Sequence, residues 1–102
     1  MEIALLGDRF DAKTAANHGL INRVVKLDDL DLEVLKLAER IAGGPTRAHA
    51  HSKMLLNQSL NSTLEEQLKA EQKAFAECSI TDDFAEGIAA FVEKRSASFE
   101  GK

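Results

Sequence analysis

Acid–base chemistry needs a carboxylate or imidazole whose ionisation is shifted by its surroundings. In this 102-residue chain Glu71 is the acid whose position raises that question, because it falls within the helical stripe Leu64, Leu68, Phe75 and Cys78. A carboxylate on an apolar face needs a partner. A partly buried structural acceptor, taking a hydrogen bond from a backbone N–H or a basic side chain, explains Glu71 more simply than a proton-transfer role. The acidic pairs Asp28-Asp29, Glu65-Glu66 and Asp82-Asp83 stand at expected helix starts, where capping and the helix dipole account for them. His49 and His51 are two apart and point to different sides of a helix, and His18 lies far from both, so no metal site is expected. Cys78 is the single cysteine, which excludes an internal disulfide and a thiolate zinc site. Gly43-Gly44-Pro45-Thr46 lacks the lysine and spacing of a phosphate loop, and no serine sits in a nucleophile elbow. Phe75, Lys94 and Arg95 have ordinary explanations as a core ring and as cations at a helix C-terminus. The residues alone nominate no catalytic group.

Composition narrows the partners. The formal charge is −4, with 13 basic and 17 acidic side chains, so a general nucleic-acid surface is not expected. A local cluster for one phosphate group remains compatible with that balance. No apolar run approaches the ~20 residues that span a bilayer, and the first residues carry no signal pattern. Together with the lone cysteine, this leads to an expected cytoplasmic location without membrane association. All five aromatic residues are Phe, so the core must be built mainly from Leu, Ile, Val and Ala.

The elements that would position these residues are helices with clear punctuation. Residues 1–6 read as the last turns of a helix, ending at Gly7-Asp8. Asp11 caps a short helix over 12–18, and Gly19 stands where a helix end requires positive φ. Residues 20–26 contain Val24-Val25 and are too short for a helix, so a strand is expected. Arg9-Phe10 offers it an antiparallel partner in a two-stranded β bridge. The next helix starts at Asp28 or Asp29, carries Leu30, Val34, Leu37, Ala38 and Ile41 on one face, and stops at Gly43-Gly44. Pro45 opens another in its first turn, with Ala48, Leu55 and Leu56 inward. Ser62 and Glu65 fit a capping box for the helix over 63–78. Thr81 caps the last helix, whose inner face is Phe84, Ile88, Phe91 and Val92. Ser96 to Lys102 form a tail holding Phe99. The fold class is therefore all-α with a short β bridge near the N-terminus. The change in character near Lys26 divides residues 1–26 from a helical domain over 27–102.

Four segments resemble one family. They are Leu5 through Ala15, Gly19-Leu20-Ile21-Asn22-Arg23-Val24-Val25, and Gly44-Pro45-Thr46 followed by Ala48 and Ser52-Lys53. The fourth is Thr81-Asp82-Asp83-Phe84 through Lys94-Arg95, ending at Phe99. In order and spacing they resemble the C-terminal region of the enoyl-CoA hydratases and isomerases of the crotonase superfamily. The chain departs from the family at Ser96-Ala97-Ser98, where a lysine or proline often follows the Lys-Arg pair. The resemblance implies a parent enzyme of the lyase or isomerase class acting on an acyl-CoA substrate, with no separate cofactor. Its oxyanion hole and acid/base glutamates come from a spiral core that this chain does not contain, so no catalytic residue is assigned here. It also implies a homo-oligomer, a trimer or hexamer, in which the positions matched by Phe75 and Lys94 reach CoA bound in a neighbouring subunit. On that basis the fragment supplies oligomer contacts and part of a CoA pocket, is inactive alone and self-associates. A noncatalytic helical interaction module derived from such a tail is the alternative.

Overall fold

The computed structural model describes residues 2–102, and its regular elements are all helical. Among the described residues six α-helices run in chain order: α1 Glu2–Leu6, α2 Ala12–Asn17, α3 Leu30–Ala42, α4 Thr46–Ser59, α5 Leu64–Ser79 and α6 Asp82–Glu93. A 3-10 turn, Leu27–Asp29, leads into α3. The chain forms two compact units, Met1–Leu35 and Lys36–Lys102. No helix among the described residues is long and apolar enough to cross a membrane.

In the first unit the expected β bridge does not form. Residues 20–26 are irregular, and no strand occurs among the described residues. A two-stranded pairing without a third strand or a covering helix is marginal in water. The first N–H of the segment is also committed elsewhere: Leu20 donates to the carbonyl of Ala15 (2.9 Å) while Gly19 donates to that of Ala16 (3.0 Å). This pair of bonds closes α2 in a Schellman turn, with Gly19 at φ 72° as its position demands. Asp11 caps α2 as expected, its Oδ1 accepting from the Thr14 N–H at 2.8 Å.

The second unit is held by α4 against α5 and α5 against α6. Two expected details shift by one residue. Pro45 is the N-cap of α4 and stands just outside its first turn. The capping box of α5 uses Thr63 and Glu66, not Ser62 and Glu65. Glu66 accepts from the Thr63 N–H (2.8 Å), and Thr63 Oγ1 accepts from the Glu66 N–H (3.3 Å). Ser62 instead donates to the Gln58 carbonyl at the end of α4, and Glu65 pairs with Lys69.

A larger correction concerns which faces are covered. The apolar stripe of α5 is outward: Leu64, Leu68 and Phe75 are exposed. The side of α5 that is covered carries Gln67, Ala70, Ala74 and Cys78, with Ala74 only 4% exposed. Small residues there let helices approach closely, and Gln67 Nε2 bridges to the Leu55 carbonyl of α4 at 3.3 Å. Glu71 is consequently exposed rather than partly buried, and accepts from Gln67 Nε2 at 3.1 Å, one turn away. The same inversion holds on α6, where Asp83 and Ala90 are buried while Ile88, Phe91 and Val92 are exposed. Likewise α3 buries none of its residues, and Leu30, Val34, Leu37 and Ile41 face outward.

Candidate functional site

Phe75, Lys94 and Arg95, singled out from sequence, lie along α5 and at the end of α6, and the local structure begins with Thr81. Thr81 Oγ1 accepts from the Phe84 N–H (3.1 Å) and donates to the Cys78 carbonyl (2.7 Å), so one buried hydroxyl ends α5 and starts α6. The short connection turns α6 back beside α5. It brings Phe84 against Phe75, edge to face, with ring centroids 5.9 Å apart at 88°. This geometry sets the positive edge of one ring on the negative face of the other. Phe75 keeps 65% of its surface open, so one side of the ring is packed and the other is available.

The far end of α6 is built differently. Lys94 caps the helix in the left-handed region, φ 56° and ψ 38°. Its N–H donates to the Phe91 carbonyl (3.3 Å) and the Arg95 N–H to the Ala90 carbonyl (3.0 Å). These are the two bonds of a Schellman turn, whose left-handed position is usually glycine. Lys94 thus stands beyond the last helical turn, not in it as expected, and α6 has no basic residue in that turn. Its side chain is exposed and makes no ion pair among the described residues.

Arg95 turns the other way. Its guanidinium grips Glu86 with both NH groups, NH1 to Oε1 at 2.6 Å and NH2 to Oε2 at 2.8 Å, and Nε reaches Glu93 at 2.6 Å. The Glu86 Oε1 also accepts from the Ser98 N–H at 2.8 Å. The Arg95 guanidinium and then the Ser98 N–H hold the Glu86 carboxyl at about 2, well below its ordinary 4.5. Arg95 is shifted upward in turn by Glu86 and then by Glu93.

From Ser98 the tail runs back along α6. Asp83, 5% exposed, accepts from the N–H groups of Glu100 (2.7 Å) and Gly101 (2.9 Å), and its own N–H donates to the Lys102 carbonyl (3.2 Å). Lengths agree: six extended residues reach roughly 20 Å, and the helix from Asp83 to Lys94 rises about 17 Å. Gly101, at φ 76°, allows the final turn, and the Thr46 hydroxyl stands so close that a Cβ there would come within 2.6 Å of it. Phe99 lies over Gly87, whose missing side chain leaves room for the ring. The ring closes one side of an apolar groove of about 320 Å³, lined also by Pro45, Ala48, Phe84, Ile88 and Phe91. A second recess of about 330 Å³ between α4 and α5 has Leu55, Glu71, Phe75 and Phe84 on its wall.

Phe75 and Lys94 do not converge on one point. With Phe75 near the C-terminal end of α5 and Lys94 at the far end of α6, they differ by more than ~10 Å along the helix axes. Only an extended ligand could touch both. The groove and Lys94 can hold apolar and anionic chemistry respectively, and neither carries an acid–base pair. The tail clamp made by Asp83, Glu86 and Arg95 was missed in the sequence. Its one visible signal is the spacing of Asp83 and Glu86, one turn apart on the same face.

Comparison with known proteins decides the kinship. The model of the enoyl-CoA hydratase/isomerase family matches residues 1–102. The chain belongs to this family. The mitochondrial enoyl-CoA hydratase of Pongo abelii is 38% identical over 100 residues, which are 98% of this chain and 34% of that protein. The crotonyl-CoA hydratase of Syntrophomonas wolfei is 35% identical over 101 residues, 99% of this chain and 39% of its own length. Among solved structures, an enoyl-CoA hydratase from Polaromonas superposes with a TM-score of 0.87 at 31% identity, covering 94% of this chain and 37% of that one. This hydratase/isomerase-family chain therefore spans little more than a third of the relatives it matches. The helical class expected from the sequence agrees with this superposition, the expected β bridge apart.

Proposed function

We propose that this chain is the C-terminal helical portion of a cytoplasmic acyl-CoA hydratase or isomerase, a lyase- or isomerase-class enzyme, whose catalysis is carried by the rest of the protein. Its own work is to supply oligomer contacts and part of a CoA-binding surface through Phe75 and Lys94. The observation that carries this reading is the pairing of a family match over the whole chain with the exposure of both residues. An aromatic face and a compact ammonium suit different parts of a CoA thioester. The ring can pack on an apolar or adenine portion, and the lysine can meet a phosphate as a point charge. The outward stripes of α3, α5 and α6 support the oligomer role, because contiguous apolar faces of this kind mark interaction surfaces.

The chemistry expected of the parent is polarisation of a thioester carbonyl in an oxyanion hole, which stabilises the enolate-like charge of the transition state. No residue of this chain is assigned to that step. The test is Phe75→Ala and Lys94→Ala in the complete enzyme, with KM for crotonyl-CoA measured for each. A rise of about tenfold in either is expected from losing one charge-assisted or stacking contact. Unchanged KM in both variants overturns the CoA-contact reading.

A further inference from the structure

Lys94 occupies a backbone conformation that costs a lysine more than a glycine, yet its ammonium has no partner among the described residues. A non-glycine residue in the left-handed region persists only where its surroundings hold it. The residues on both sides of Lys94 are what hold it here. Glu93 and Arg95 flank it and bond to each other at 2.6 Å, and Arg95 is anchored two-pronged to Glu86, two turns back on α6. The Ser98 N–H bonds to the same Glu86 oxygen, so the chain on the far side of Arg95 is fixed as well.

From this arrangement we infer that Glu86 and Arg95 are positioning residues. They lock the turn that carries Lys94 and so fix where its side chain leaves the helix end, within reach of a phosphate-bearing part of the CoA nucleotide. This rests on the CoA-contact reading of Lys94 given above. Preorganisation of this kind spares the binding step the cost of ordering the turn that carries the lysine.

Simple electrostatics and positioning predict opposite signs for one substitution. Glu86 is an anion close to the site of an anionic ligand. If its charge were all that mattered, Glu86→Ala would strengthen CoA binding by removing repulsion and freeing the Arg95 cation. If it acts by fixing the turn, Glu86→Ala weakens binding. Glu86→Gln then restores most of the affinity, because its amide oxygen still accepts from Arg95 and from the Ser98 N–H. Arg95→Gln should be worse than Glu86→Ala, since it loses the anchor and leaves two carboxylates unneutralised beside Lys94.

The experiment uses the complete enzyme with two substrates: a crotonyl thioester of CoA, and the same acyl group on pantetheine, which lacks the nucleotide phosphates. The readout is the ratio of the two KM values. Glu86→Ala should raise that ratio about fivefold, on the scale of a charge-assisted contact made less often. Glu86→Gln should stay within about twofold of wild type. Lys94→Ala should raise the ratio about tenfold, and adding Glu86→Ala to it should raise it no further. A ratio unchanged or lowered in Glu86→Ala, with Lys94→Ala still raising it, overturns the positioning inference and leaves the CoA contact standing. A ratio unchanged in Lys94→Ala overturns both. Should Glu86→Ala fold poorly, Arg95→Gln and the Glu86→Gln rescue decide the same question.

Discussion

Removing the Asp83 carboxylate should release the C-terminal tail while leaving the helices in place. The side chain is buried and accepts two short hydrogen bonds, from Glu100 and Gly101. A hydrogen bond to a charged acceptor is worth about 1.5–3 kcal/mol when nothing replaces it. Glu100 is exposed, so water can satisfy its N–H in the variant, and Gly101 is half-buried. Discounting for that solvation, Asp83→Ala should weaken tail docking by about 2–3 kcal/mol. Asp83→Asn should fall between, because the amide presents one oxygen to two donors.

Amide exchange reads this directly, since local opening is measured residue by residue. With 1.4 kcal/mol per decade, the Glu100 and Gly101 amides should exchange roughly 30 to 150 times faster in Asp83→Ala. The amide of Ala74 in α5 should change by less than about tenfold, because the tail touches α6 and the start of α4 rather than the α4–α5 seam. Unchanged exchange at Glu100 and Gly101 would refute the claim that Asp83 is the tail's anchor.

Lys94→Gly should leave the melting temperature unchanged or raise it, because glycine relieves about 1 kcal/mol of left-handed strain and costs a similar chain entropy. In the complete enzyme the same variant should still raise KM for a CoA thioester; a fall in melting temperature with normal KM would make Lys94 a structural cap. The Glu86 contribution to tail docking should be fully present above the ordinary carboxyl value of 4.5 and be lost progressively as pH falls from there through about 2, the sign required of a group whose folded value is depressed. The Ser98 amide should accordingly keep most of its protection, relative to the intrinsic exchange rate at the same pH, at pH 4, and early loss of that protection would contradict the Arg95 anchor. Phe91 is 85% exposed, so Phe91→Ser should barely move the unfolding midpoint of the 102-residue chain, yet sedimentation should show weaker self-association. A drop of about 3 kcal/mol in the chain alone, the size seen for core rings, would place Phe91 in the core.

Local signals were legible in the sequence. Asp11, Gly19, Gly43-Gly44 and Thr81 each mark a helix boundary through one side chain or one dihedral, and each boundary lies there in the structure. The strand over 20–26 failed because β propensity says nothing about a partner, and the first N–H of the segment closes α2 instead. The capping box slipped by one residue because Ser62 and Thr63 are both good caps, each with a glutamate three positions on. The candidate residues Phe75 and Lys94 were legible only through the family resemblance, since as residue types a core ring and a helix-end cation explained them. The left-handed turn at Lys94 has no signature, since a lysine does not announce positive φ. The anchors Glu86–Arg95 and Asp83–Glu100 join residues 9 and 17 apart, across a chain reversal that no periodicity encodes.

The inverted faces of α5 and α6 have one common cause. Periodicity reports which side of a helix is apolar, and reading that side as buried assumes that the neighbour covering it lies in the same stretch of chain. On α6 the residues Asp83, Glu86, Gly87 and Ala90 recur at three- and four-residue spacing, and it is this polar and small stripe that meets the tail. The adjoining stripe, Phe84, Ile88 and Phe91, is the larger apolar surface, and it lines the groove together with Gly87 and Phe99. A helix that spends its polar side on internal hydrogen bonds and leaves Ile88, Phe91 and Val92 outward cannot draw its stability mainly from this unit's apolar burial. It is fixed by directional bonds at both ends, through Thr81, Asp83 and the Glu86–Arg95 pair. Those bonds do not depend on what later covers the ring surface, so the turn at Lys94 and the groove keep their shape before any partner surface arrives. That separation, a self-contained polar frame carrying an uncommitted apolar face, fits a segment whose contacts are completed by a larger assembly.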